Sequence, residues 1–145
     1  MPFVYILLSA LLICIDQLVK HLVVANLHLG QVNPVIDGLL SITRLNNTGA
    51  AWSMLSGQQW LFVVIALVAA LAIIYYMFKF RGHFLYQFSL SLLLAGALGN
   101  VIDRIFQGHV VDMFQLDFIN FPIFNCADMF LTFGILILAI TIIKD

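Results

Sequence analysis

Two short stretches place an aspartate among apolar residues: VVDM (residues 110–113), which holds Asp112, and FNCADMF (residues 124–130), which holds Asp128. Two carboxylates brought close together do not both ionise readily, so one keeps its proton and the pair is acid and base at once. The ionised member can take a proton from a water that attacks an amide carbonyl, while the protonated member donates to the developing oxyanion. That is aspartic proteolysis. Each residue also has a plainer role. Asp128, three positions after Asn125, fits a capping box that complements a helix dipole, and Asp112 alone is a polar loop residue.

The remaining polar groups fall at helical spacings. Asp16 and Lys20 are four apart, so they share a helix face and can neutralise each other. Asn100, Asp103 and Arg104 lie at i, i+3 and i+4, again one face. Gly96 and Gly99 just before them permit a close helix approach. Other hydrolytic chemistries lack their signatures: there is no HExxH and no G-x-S-x-G. His21, His28, His83 and His109 are scattered across both predicted faces, so no metal cluster is expected, and hydrolysis by a carboxylate pair requires no soluble cofactor.

These residues need elements to carry them, and composition says which kind. Of 145 residues, 63% are hydrophobic and 9% charged, and the mean hydropathy is +1.10, far outside the soluble range. One membrane domain over residues 1–145 follows from that length. A net charge of -1 without a basic patch excludes nucleic acid as a partner. Cys14 and Cys126 fit packing positions rather than a disulfide or metal framework. Four apolar runs approach the span of a bilayer: residues 3–24, 60–78, 84–105 and 125–143. The first lacks a basic leader region and contains Asp16 and Lys20, which predicts a retained helix rather than a cleaved signal.

An even number of spans puts both termini and the KFRGH link (residues 79–83) on one face. Lys79, Arg81 and Lys144 mark that face as cytoplasmic, leaving residues 26–59 and 106–124 outside. Residues 36–45 predict a hairpin around Asp37-Gly38. HVVDMFQLDF is strand-like as well, so the two outer loops are expected to pair. On this arrangement Asp16, Lys20, Asn100, Arg104 and Asp128 all reach the outer end of the bundle, where Asn47 and Asp112 join them from the loops.

Five motifs then stand in order: DQLVK (residues 16–20), NNTGAAWS (46–53), GALGNVIDR (96–104), VVDM (110–113) and FNCAD (124–128). With four spans, they resemble the signal peptidase II, or lipoprotein signal peptidase, family along nearly the whole chain. The resemblance implies a mainly α membrane protein: four transmembrane helices with a small extracytoplasmic β cradle, in the bacterial cell membrane. It implies an aspartic endopeptidase that cleaves diacylglyceryl prolipoproteins just before the lipidated cysteine. Asp112 and Asp128 then correspond to the catalytic pair. Asn47, Asn100, Arg104 and Asn125 match the residues lining the site, and Asp16 and Lys20 match supporting residues of the first helix. Membrane lipid is an implied partner, and the cyclic lipopeptide globomycin an implied inhibitor. Val19 and Met113 stand where the family often has Ser or Thr and Phe, changes of local packing rather than of the pair. For Arg104 the resemblance leaves two roles open: holding a substrate carbonyl or lipid oxygen, or pairing with Asp103, Asp112 or Asp128. A rival reading is a small proton or ion conductor relaying through Asp16, Asp103 and Asp128. That requires polar groups through the full depth, yet the second run is apolar and the fourth has only Thr132 and Thr141 after Asp128.

Overall fold

In the computed structural model, which describes residues 2–144, the four apolar runs are helices. They are α1 (Pro2–Asn26), α2 (Gln59–Lys79), α3 (Phe84–Gln107) and α4 (Cys126–Lys144), and each is long and apolar enough to cross a membrane. α1, α2 and α3 outrun their apolar stretches by a residue or two, whereas α4 begins one residue inside its own. At the end of α2, Lys79 complements the dipole. At the end of α3, Gly108 turns left-handed at φ 73° and returns its N–H to the Arg104 carbonyl.

The helix richest in polar residues is the central one. α3 packs against α1, α2 and α4, and it buries Gln87, Ser89 and Ser91 along with Leu90, Leu92, Leu93 and Leu94. In lipid, apolar surface does not drive helices together, so close backbone approach and hydrogen bonds must do so. Ser9 of α1 donates to the Ser91 carbonyl at 3.0 Å. A Cβ on Gly96 would stand 2.5 Å from the Ala127 carbonyl oxygen and 2.6 Å from Leu131 Cγ, so only glycine lets α3 and α4 meet there. The outward faces of α1, α2 and α4 remain apolar and exposed, as at Leu7, Leu71 and Ile135, which suits a lipid boundary. Cys14 lies on such an exposed face, which corrects its expected place in packing.

Three antiparallel strands form a sheet in the order β1 (Val32–Ile36), β2 (Leu40–Asn47), β3 (Val110–Leu116). The turn at Asp37-Gly38 is where expected, with Gly38 at φ 72°, and Pro34 sits on the edge strand, where its missing N–H does no harm. The second outer loop pairs with β2, as its strand-like content predicts. Asp112 is therefore a strand residue opposite Leu45, not a loop residue. Beyond β3 the chain doubles back, and Phe114 bridges Phe124. Arg44 of β2 donates to the Val24 and Leu27 carbonyls at 3.2 and 3.1 Å, fastening the sheet to the C-terminal end of α1.

Candidate active site

Asn125 joins the two aspartates. The Phe114–Phe124 bridge delivers it beside β3, and the start of α4 holds its backbone. Its Nδ2 donates to Asp112 Oδ1 at 2.8 Å and to Asn100 Oδ1 at 3.1 Å. Its own N–H donates to Asp128 Oδ2 at 3.2 Å, while the Asp128 N–H returns to Asn125 Oδ1 at 2.9 Å. That reciprocal pair is the capping box expected from the spacing. Asn100 of α3 donates to Asp128 Oδ1 at 2.9 Å, and Asn47, the last residue of β2, donates to Asp112 Oδ2 at 3.0 Å. Four elements thus converge on two carboxylates.

Burial pushes the Asp112 carboxyl up to about 7, with the Asp128 charge adding to the effect. The bonds from Asn47 and Asn125 and the charge of Lys20 act in the other direction. A carboxyl in that range exchanges its proton near neutral pH, as an acid–base residue must.

Both aspartates line a cavity of about 470 Å³ whose polar floor also carries Asn47, Asn100 and Arg104. Its walls are apolar, with Phe121, Ile123 and Phe124 before α4 and Met129 and Phe133 within it. Thr132, on the same wall, is occupied with the Asp128 carbonyl at 2.9 Å.

Asp16 and Lys20 lie outside the cavity, directly behind it. Lys20 bridges Asp16 at 2.8 Å, as their spacing predicts, and also Asp103 at 3.0 Å. Asp16 accepts the Ala127 N–H at 2.9 Å, and Asp103 accepts the Val111 N–H at 3.0 Å. Each brace therefore grips the backbone one residue before an aspartate of the pair. The cation also reaches Asn100 Oδ1 at 3.1 Å. The face shared by Asn100, Asp103 and Arg104 is divided in the structure: Asn100 and Arg104 meet the cavity, whereas Asp103 turns to α1.

Arg104 does not take the carboxylate pairing that was one of its expected roles. Among the described residues no carboxylate lies within ion-pair distance of it. It donates to the Gly49 carbonyl at 3.3 Å and lies over the Phe62 ring at 4.9 Å, with Nε buried and without a partner. Residue patterns alone did not single out Gln17, Gly49 or Phe62 as parts of the site, and they placed Asp103 on its polar face without indicating Lys20 as its partner. Gln17 donates to Asp103 Oδ1 at 2.9 Å and the Gly99 carbonyl at 3.1 Å, and its place beside Asp16 was the available signal. Phe62 had none, being one aromatic in an apolar run. Among the described residues, no three of His, Cys, Asp and Glu gather closely enough to hold a metal ion.

Residues 8–144 match the family Signal peptidase (SPase) II. The protein named lipoprotein signal peptidase in Lactiplantibacillus plantarum is 47% identical over 143 residues, 99% of this chain and 96% of its own. Its namesake in Streptococcus pneumoniae is 51% identical over 136 residues, 93% of this chain and 89% of its own. A solved structure described as a bacterial membrane enzyme superposes with a TM-score of 0.92 at 38% identity, covering 98% of this chain and 88% of that one. With a match from the first helix to the last, the chain belongs to the signal peptidase II family of membrane aspartic peptidases.

Proposed function

We propose that Asp112 and Asp128 are the catalytic pair with which this peptidase removes signal peptides from diacylglyceryl-modified prolipoproteins, cutting before the lipidated cysteine. The observation that carries this reading is Asn125, which bonds both carboxylates at the floor of one cavity. Asp112, with its carboxyl at about 7, holds the shared proton. Water attacks the scissile carbonyl as Asp128 takes its proton, and Asp112 protonates the oxyanion to give a tetrahedral diol. On collapse the amine leaves with the proton from Asp128, and a diol hydroxyl returns one to Asp112. Asn47, Asn100 and Asn125 hold the carboxylates through the cycle. Arg104 has donors left for a substrate carbonyl, and Asp16 and Lys20 support the pair from behind.

The proposal extends to the setting. Residues 1–145 act as one domain, with the termini and the 79–83 link in the cytoplasm and the pair at the extracytoplasmic surface, in keeping with Lys79, Arg81 and Lys144. The apolar α4 wall suits a substrate that arrives from the bilayer with its acyl chains still in lipid, and a globomycin-type lipopeptide would occupy the same space.

The test is cleavage of a diacylglyceryl prolipoprotein by the reconstituted protein. Asp112→Asn and Asp128→Asn should each lower turnover by roughly 100-fold or more. Near wild-type turnover in either variant would dismiss the pair.

A further inference from the structure

We propose that Phe62, near the start of α2, is a positioning residue that fixes the guanidinium of Arg104 for substrate binding. The proposal rests on the cavity being the peptidase site.

Arg104 carries a long side chain into a cavity of about 470 Å³, where, among the described residues, one hydrogen bond, 3.3 Å long to the Gly49 carbonyl, holds it. Its other restraint is the Phe62 ring, 4.9 Å below Cζ and within the range where a ring face attracts a cation. The two restraints differ in what they leave free. A carboxylate partner would occupy the in-plane N–H donors, whereas an aromatic face holds the plane and leaves those donors available. The unpartnered, buried Nε is such a donor. Only one class of partner would satisfy it without adding charge, a neutral oxygen acceptor such as the carbonyl of a peptide or ester.

An aromatic anchor also protects the acid–base pair. The carboxylates nearest to hand for Arg104 are those of Asp112 and Asp128, and an ion pair with either would hold it ionised and remove the shared proton. Phe62 restrains the cation without that penalty. The same contact steadies the turn that follows β2. Arg104 bonds Gly49, the Gly49 N–H donates to Asn47 Oδ1 at 2.9 Å, and Asn47 bonds Asp112. Gly49 cannot be exchanged for a larger residue that might provide an anchor of its own, since a Cβ there would stand 2.3 Å from the Met54 carbonyl oxygen.

The test is steady-state cleavage by Phe62→Leu, which keeps an apolar side chain of similar bulk and removes the ring. KM should rise roughly fivefold while kcat stays within about twofold, the pattern of lost ground-state binding. Phe62→Trp, which restores a ring face, should return KM to the wild-type value. In an Arg104→Gln background Phe62→Leu should change nothing further, because the partner is already gone. A wild-type KM in Phe62→Leu, a failure of Phe62→Trp to restore it, or an equal effect in both backgrounds would overturn the proposal in favour of packing. Failure of the peptidase reading is distinct: it would appear as activity in Asp112→Asn, whatever Phe62→Leu does.

Discussion

Asp112 carries a pH dependence whose direction follows from its surroundings. Its carboxyl stands at about 7 against an ordinary 3.8, chiefly because burial disfavours the charge and secondarily because Asp128 repels it. The shared proton is lost as pH rises through that value, so turnover should fall on the basic side of about pH 7. For the fold the sign is the same. The unfolded carboxyl gives up its proton first, so this group's contribution makes stability decline from about pH 4 to about pH 7 and level off above. The hydrogen bond from Asn47 favours the ionised form. Asn47→Ala should therefore move the basic limb of the kcat/KM profile to higher pH, and an unmoved or lowered limb would contradict the assignment. At this scale the sequence was partly legible. The Asn125–Asp128 box follows from a spacing of three within one helix turn. The Asn125–Asp112 bond depends on the Phe114–Phe124 bridge, a contact that no local pattern encodes.

Among the elements, the decisive arrangement is the way α1 reaches the two carriers of the pair. Lys20 neutralises Asp16 and Asp103, and each of those accepts a backbone N–H next to Asp128 or Asp112. All three side chains are almost fully buried. Removing the cation leaves two carboxylates without their charge partner in a site that excludes water. Lys20→Met should accordingly destabilise the fold by about 3–5 kcal/mol, measured as the loss of unfolding free energy in detergent. Turnover should fall with it, because both backbone anchors loosen together. A variant within about 1 kcal/mol of wild type at full turnover would show that the brace is dispensable. The helix and strand content was legible because long apolar runs and a Asp-Gly turn are local signals. The spacing of Asp16 and Lys20 revealed half of the brace. Asp103 stood on a recognised polar face with Asn100 and Arg104, but its pairing with Lys20 was not legible, because which neighbour each meets is set by how α1 and α4 pack around α3.

For the whole molecule, the placement of charge bears on the proposed orientation. Of six basic residues, Lys20 is neutralised inside the bundle and Arg104 faces the cavity, so neither counts as a loop charge. Arg44 is engaged with the end of α1. Lys79, Arg81 and Lys144 remain, all at the end of the bundle away from the sheet and the aspartates. Sequence counting sets three basic residues against Arg44, whose guanidinium is hydrogen-bonded to backbone carbonyls. The proposed topology, with these three residues on the inner face by the positive-inside rule, has the sheet outside. With Cys14 and Cys126 replaced by alanine, Asp37→Cys tests the outer face and His83→Cys the inner one, both being exposed positions outside the helices. A membrane-impermeant maleimide applied to intact cells should label Asp37→Cys at once, and His83→Cys only after permeabilisation. The opposite pattern would invert the topology and put the aspartate pair on the cytoplasmic side. A signal peptide cut after export could not reach it there.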